Sequence, residues 1–84
     1  MPLPAAPVTL SVEQIKELNQ KLSDMRHDVN NFLSLITAAA ELARHKPDTA
    51  DRMMATLTLQ PPKISEAISS FSLQFEKAFG ITRK

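Results

Sequence analysis

Apolar residues recur along the first half of the chain at alternating spacings of three and four. The series begins at Ile15 and ends at Ala43, and no Pro or Gly falls between Val12 and Arg44. Its members are Ile15, Leu18, Leu22, Met25, Val29, Phe32, Ile36, Ala39 and Ala43. This spacing is the heptad repeat of a helix that packs along one face, with Ile15 at position a and Leu18 at position d. The pattern predicts one long amphipathic helix.

Local signals mark both ends of this first helix. Ser11 is a good N-cap, and Gln14, three residues later, completes a capping box. The basic residues at 44–46 suit the carboxyl end of the helix dipole. Pro47 follows them and is expected to end the helix, because the residue before a proline disfavours helical geometry.

A second helix is predicted to start near Asp48 or Thr49, either of which can cap it, and to stop at Gly80. Its apolar positions are Ala50, Met54, Leu57, Ile64, Ile68, Phe71, Phe75 and Ala78. Pro61 and Pro62 interrupt this helix, but the apolar spacing continues in phase across them. Because proline removes a helical hydrogen bond, we expect one helix that is kinked or briefly broken there.

The two helices together predict an all-α fold, a long antiparallel helical hairpin. A helix of about 33 residues is roughly 50 Å long, and a single antiparallel partner covers its apolar face only in part. Pairing two hairpins into a four-helix bundle would close the core, so a homodimer is expected. Residues 1–10 are predicted to be an extended Pro-rich arm, residues 11–80 the hairpin domain, and residues 81–84 a tail.

Composition narrows the class of protein. The chain has 84 residues and no Cys, so we expect at most one small domain, without disulfides or thiolate metal sites. Its net charge of +1 offers no electrostatic footprint for nucleic acid. The apolar runs are far too short for a membrane segment, and residues 1–10, without Lys or Arg, do not resemble a signal peptide. A cytoplasmic protein is expected.

Four polar residues stand together in the middle of the first helix. His27, Asp28, Asn30 and Asn31 are mediocre helix formers, and the heptad frame directs them away from the apolar face, at positions f, g, b and c. Asn31 lies one turn after His27 on the same face. A neutral imidazole is a nucleophile, and a neighbouring carboxylate can fix the tautomer that leaves Nε2 free to attack. An amide can position a water or a phosphoryl oxygen.

Plainer explanations exist for each of these features. Exposed polar residues on a helix are ordinary, so His27 by itself could be a solvated surface residue. His45 is explained by its place at the carboxyl end of the helix dipole. It lies about 27 Å from His27 along the helix, too far to share a metal ion with it. The grouping of four residues with low helix propensity is what favours a functional site.

The stretch HDVNNFLSLITAAAEL, residues 27–42, resembles the phosphoacceptor motif of histidine-kinase dimerisation domains. The similar subtype reads H-D-x-N-N-x-L-x-x-I, followed by a Glu-Leu pair. Matching residues are His27, Asp28, Asn30, Asn31, Leu33, Ile36, Glu41 and Leu42. Phe32 stands where many members of the family have Pro. The resemblance covers the first helix strongly and the second only through the helical-hairpin architecture, which in that family also dimerises into a four-helix bundle.

The resemblance implies a role for each polar residue. His27 would accept a phosphoryl group, and Asp28 would polarise the imidazole as its acid–base partner. Asn31 would help to hydrolyse the phosphorylated partner, with Asn30 in a supporting role. The implied function is histidine phosphotransfer in two-component signalling, to or from an aspartate of a response-regulator receiver domain.

The identity of the phosphoryl donor stays open at this point. It would be a separate kinase ATPase domain or a phosphorylated receiver, because these 84 residues with one Gly hold no ATP-binding domain. Mg²⁺ and ATP would therefore act only through a partner, and this chain would bind no cofactor or metal itself. It would be either the central domain of a kinase or a stand-alone phosphotransfer protein. The alternative is a non-catalytic helical dimerisation or adaptor module that keeps the fold without phosphotransfer.

Overall fold

Two long helices make up the computed structural model, which describes residues 3–81. Helix α1 spans Val12–His45 and helix α2 spans Ala50–Phe79, with one 3₁₀ turn, Pro47–Thr49, between them. No strand occurs in the described range, so the predicted all-α class and helical hairpin are confirmed. Residues 3–10 precede α1 without helix or strand. The rest of the predicted arm, and the predicted tail beyond Ile81, lie outside the described residues.

Helix α1 begins and ends where the sequence predicts. The Ser11 hydroxyl accepts a hydrogen bond from the Gln14 backbone N–H at 3.1 Å, and Gln14 Oε1 accepts one from the Ser11 N–H at 2.8 Å. At the other end, the Lys46 N–H donates to the Leu42 carbonyl at 2.8 Å, just before Pro47. The capping box therefore satisfies two N–H groups that would otherwise lack a helical partner.

Helix α2 starts and ends where the sequence predicts, but the side-chain cap expected at its start is absent. Thr49 occupies the N-cap position, but its hydroxyl donates to the Lys46 carbonyl at 2.7 Å and caps no N–H of α2. Asp48 supplies no side-chain cap either. Gly80 ends the helix in the left-handed conformation, with φ of 66°, and the N–H of Ile81 donates to the Glu76 carbonyl at 2.8 Å. A residue with a Cβ atom adopts this conformation less readily.

Pro61 and Pro62 lie inside a single kinked helix, as one of the two predicted alternatives required. A break of the helix into two is excluded, since α2 continues through both prolines. Neither proline has an N–H to donate, so the carbonyls of Leu57 and Thr58 lose their helical donors. Prolines at these positions explain why α2 bends away from a straight axis.

The apolar series of α1 faces α2 as predicted. Every member except Ile15 is at least half-buried, and Ala39 is the most buried, with 4% of its surface exposed. Helix α2 turns a different side to α1 than expected. Its covered positions are Ala50, Met53, Thr56, Leu57, Gln60, Ile64, Ala67, Phe71, Ser72, Glu76, Ala78 and Phe79. Met54, Ile68 and Phe75, predicted to face inward, remain 59%, 47% and 39% exposed.

This difference has a simple physical reason. The apolar face of α2 is too wide for one neighbouring helix, so α1 covers only the side that carries Met53, Gln60 and Ala67. The other side stays open and continues onto α1. We call this surface the outer stripe. Its residues are exposed and recur every seven positions along each helix, and they are Leu33, Ala40, Met54, Pro61, Ile68 and Phe75.

The hairpin is one layer of helices without a closed core. Its extents are 59 × 28 × 11 Å and its radius of gyration is 18.1 Å, against about 12 Å for a compact domain of this length. In the described residues no large side chain is fully buried. Stable domains usually pack at least two layers around a core, whereas the described hairpin is one layer.

Neither α1 nor α2 contains a stretch apolar enough to cross a membrane. Both are amphipathic instead, with charged residues distributed along their exposed faces.

Gln60 is the most buried polar residue on the covered side of α2. Only 3% of its surface is exposed. Its Nε2 donates to the Thr56 carbonyl at 2.9 Å, whereas its Oε1 has no hydrogen-bond partner. A buried oxygen without a partner costs about 1–3 kcal/mol, so Gln60 weakens the hairpin next to the two prolines.

Gln60→Leu is therefore expected to stabilise the protein by about 1 kcal/mol, because removing the unpartnered oxygen outweighs the loss of one hydrogen bond. The measurement is the urea midpoint at fixed protein concentration. Gln20→Leu, on the exposed face of α1, is the control and should change stability by less than about 0.5 kcal/mol. A lower midpoint for Gln60→Leu would contradict the prediction.

Candidate functional site

The four polar residues of the candidate site lie on an unbroken part of α1. Helix α1 passes through His27, Asp28, Asn30 and Asn31 without interruption, and all four are exposed. Their low helix propensity costs at most about 0.7 kcal/mol each. The cap at the amino end and the packing of α1 against α2 keep the helix intact. The predicted outward direction of all four is thus what the structure has.

The imidazole of His27 lies beside the carboxylate of Asp28. The distance from His27 Nδ1 to Asp28 Oδ1 is 3.8 Å, with 75% and 58% of the two side chains exposed. This distance is too long for a hydrogen bond, but it places the carboxylate next to Nδ1. Nε2 makes no polar contact with any described residue, so it stays open to a reactant.

Asn31 approaches the same ring nitrogen from one turn further along α1. Its Nδ2 lies 3.5 Å from His27 Nδ1, at the outer limit of a hydrogen bond. Whether Nδ1 acts as donor or acceptor depends on which tautomer the ring adopts. The predicted pairing of His27 and Asn31 on one face is therefore found, with both Asp28 and Asn31 directed to Nδ1.

Asn30 is not brought to the imidazole. It borders a shallow depression on the opposite flank of α1, together with Leu33, Ser34 and Thr37. Within residues 3–81 no hydrogen bond joins it to the other three site residues. No contact in this structure therefore supports the role expected of Asn30.

Asp28 also borders a groove between the two helices, which sequence reasoning missed. The groove is lined by Lys21, Asp24, Met25 and Asp28 from α1, and by Ala67, Ser70, Phe71 and Gln74 from α2. Asp28 therefore lies both next to the imidazole and in the lining of a groove that also contains the apolar residues Met25 and Phe71. No local signal marks these residues of α2, because their place depends on the register between the helices.

His45, the second histidine, has an environment of its own near the hairpin turn. Its Nε2 lies 3.3 Å from Glu41 Oε2, and Arg44 Nη1 lies 4.0 Å from Glu41 Oε1. The carboxylate partner adds to the helix-dipole explanation given for His45. For this ring the carboxylate faces Nε2, whereas at His27 it faces Nδ1. Among residues 3–81, no group of three acidic, His or Cys side chains could hold a metal ion.

Comparison with known proteins yields no family model, no curated protein and no solved structure that matches the chain. The features of the chain that bear on function are the geometry around His27 and the H-D-x-N-N motif. The site contains an exposed imidazole whose Nε2 is unobstructed. Its Nδ1 lies near the Asp28 carboxylate and the Asn31 amide. That combination suits nucleophilic attack on an incoming electrophile.

Proposed function

We propose that the chain is a histidine phosphoacceptor domain of a two-component signalling system, acting as a homodimer. One observation carries the proposal: His27 is exposed, its Nδ1 faces the Asp28 carboxylate, and its Nε2 is unobstructed. A carboxylate at Nδ1 raises the nucleophilicity of Nε2 and stabilises the charge that forms on the ring. The motif H-D-x-N-N at residues 27–31 supports the same function.

The proposed step is an in-line phosphoryl transfer to His27. Nε2 attacks the phosphorus, the bond from phosphorus to the donor oxygen breaks, and that oxygen leaves as the carboxylate of a receiver or as ADP. The proton on Nδ1 stays on the ring, and Asp28 balances the positive charge. The partner protein would bind Mg²⁺ and ATP, because the phosphoryl group is held with its metal ion in the partner's site before transfer.

Asn31 has a second task in this proposal. When the phosphorylated receiver returns to the dimer, the Asn31 amide orients a water for attack on the aspartyl phosphate, as the resemblance implies. Asn30 supports the site only indirectly. The direction of net transfer is then set by which partner is bound.

The groove beside Asp28 is the proposed docking place for the receiver. The groove includes the apolar residues Met25 and Phe71 and also Asp28, the neighbour of His27, whereas the outer stripe lies on the other face of the hairpin. A receiver seated over the groove would bring its aspartate towards His27 without competing for the stripe. A cytoplasmic location belongs to this proposal, because receivers and kinase ATPase domains act there.

Dimerisation through the outer stripe is part of the same proposal. The hairpin is a single layer 11 Å thick, and its stripe carries four large exposed apolar side chains on one face of that layer. A second copy with the same stripe would supply the missing layer and close a four-helix bundle. The face that carries the groove is less suitable, because it has the charged residues Lys21, Asp28 and Lys77.

A non-catalytic helical dimerisation or adaptor module is the second candidate function. The exposed outer stripe favours this function, because a helical partner would bury its apolar side chains whether or not His27 reacts. The two candidate functions differ in whether His27 becomes phosphorylated, so a phosphate-labelling experiment distinguishes them.

The test is phosphorylation of the full chain by a panel of receiver domains charged with acetyl phosphate, and by active kinase ATPase domains with ATP and Mg²⁺. The expected product is acid-labile, base-stable phosphate that mass spectrometry maps to His27. Absence of label across the panel would overturn phosphotransfer and leave the adaptor function.

Asp28→Asn is expected to slow phosphorylation of His27 about 10²-fold, as for the loss of an acid–base partner. The amide keeps the shape of the side chain but removes the charge that stabilises the ring in the transition state. Initial rates with the best donor of the panel provide the measurement. Asp51→Asn, a distant exposed carboxylate at the start of α2, is the control with an unchanged rate. Equal rates for both variants and the wild type would remove Asp28 from the mechanism.

A further inference from the structure

One nitrogen of His27 has two competing neighbours. Asp28 Oδ1 lies 3.8 Å from Nδ1, and Asn31 Nδ2 lies 3.5 Å from the same atom. A carboxylate is only an acceptor, whereas the Nδ2 group of an amide is only a donor. A hydrogen bond to Asp28 therefore requires a proton on Nδ1, whereas a hydrogen bond from Asn31 requires Nδ1 to be without one.

A neutral imidazole carries a single proton, so it can satisfy only one of these neighbours at a time. With the proton on Nδ1, the ring points a positive N–H towards Asp28, and Nε2 has a free lone pair. With the proton on Nε2, Nδ1 accepts from Asn31 Nδ2, and Nε2 cannot attack. In this second state Nδ1 is also blocked, because its lone pair is held by the amide.

We propose that Asn31 is a positioning residue that holds resting His27 in the unreactive tautomer, with Asp28 favouring the reactive one. The balance between the two contacts sets how much of the nucleophile is ready for transfer. This inference about the tautomer stands on the two distances alone, and only its consequence for phosphotransfer rests on the proposed function.

The same geometry links the resting and the phosphorylated states. When Nε2 attacks phosphorus, the ring keeps its proton on Nδ1, so Asn31 Nδ2 has no acceptor there while that proton stays. Asn31 thus restrains the ring before transfer, and its contact with Nδ1 is lost as His27 takes up the phosphoryl group.

The first test reads the tautomer directly, by ¹⁵N NMR of the His27 ring nitrogens above the pH at which the ring is protonated. Asn31→Ala should raise the fraction with the proton on Nδ1, changing the ratio of tautomers about two- to tenfold, the factor that one hydrogen bond contributes. Asp28→Asn should shift the ratio the other way. Asn19→Ala removes an exposed amide from α1 two turns away and serves as the matched control. An unchanged ratio in Asn31→Ala would overturn the inference.

The second test measures reactivity with phosphoramidate, which needs no protein partner. Its phosphorus–nitrogen bond breaks as the bond from Nε2 to phosphorus forms, ammonia leaves, and the ring keeps its proton on Nδ1. Asn31→Ala should react faster than the wild type by the factor by which its fraction with the proton on Nδ1 rises, and Asn19→Ala should react at the wild-type rate. A faster rate without a change in tautomer would overturn the inference.

The two hypotheses fail separately in these experiments. If the tautomer shifts in Asn31→Ala but no receiver or kinase labels the chain, the positioning role of Asn31 stands and phosphotransfer falls. If receivers label His27 but the tautomer is the same in wild type and Asn31→Ala, phosphotransfer stands and the positioning role falls.

Discussion

His27→Gln is expected to abolish phosphorylation of the chain by every donor that labels the wild type. Gln has neither a ring nitrogen to attack phosphorus nor a basic group to hold the product, so no residual transfer is expected. Because His27 is 75% exposed and its contacts are long, the substitution should leave stability within about 0.5 kcal/mol of the wild type. Label retention after alkaline treatment is the measurement, with sedimentation confirming unchanged assembly.

His45→Gln is the matched control for this experiment. It removes the other histidine, which lies against Glu41 at the end of the same helix, and the label should persist in full. Label that remains in His27→Gln would sink the assignment of the phosphoacceptor. Label that disappears in both variants would point to a defect of folding, which the circular dichroism of each variant detects.

Ile68→Glu is expected to separate the dimer into single chains and to lower the unfolding temperature. Ile68 lies in the middle of the outer stripe and is 47% exposed in the isolated hairpin. In a four-helix bundle the stripe would be covered, and burying an unpaired carboxylate there costs several kcal/mol. A hairpin without a closed core has little stability of its own, so loss of the partner should also weaken the fold.

Light scattering over a range of concentrations measures this effect. The wild type should have twice the chain mass of 9.3 kDa, and its unfolding temperature should rise with concentration. Leu73→Glu is the control, because Leu73 is 56% exposed in the hairpin but lies outside the outer stripe. A monomeric wild type, or a dimer that survives Ile68→Glu, would contradict the assignment of the interface.

Covering the outer stripe would leave the candidate site accessible. His27 occupies position f of α1, and the groove next to Asp28 lies on the face opposite to the stripe. In the proposal one face of the hairpin thus binds a second copy and the other binds the receiver. Effects at the two surfaces should therefore be additive, because distant sites without shared partners rarely couple.

Much of the fold follows from short-range rules that the sequence alone contains. The capping box at Ser11, the end of α1 before Pro47 and the stop of α2 at Gly80 depend on residues a few positions apart. The apolar face of α1 follows from its spacing of three and four, because a helix repeats every 3.6 residues. The outward direction of His27 and Asn31 follows from the same repeat.

The polar site was predictable as a group but not as a geometry. Sequence places His27, Asp28 and Asn31 within one turn of a helix, so their proximity is expected. That Asp28 and Asn31 both approach Nδ1 depends on side-chain rotamers, which the sequence does not specify. The structure also separates Asn30 from this group, because position b lies on the other flank of the helix.

By itself, the sequence determined the two helices, most of their ends, the inward face of α1 and the exposed setting of the stretch around His27. Only the tertiary structure decided which side of α2 meets α1, that Gln60 is buried there, and that Asp28 shares a groove with Phe71. The reason is that a helix with a wide apolar face can pack on either side of it. The turn at Pro47–Thr49 and the packing of the whole hairpin place one side of this apolar face against α1. The side that stays exposed is part of the outer stripe.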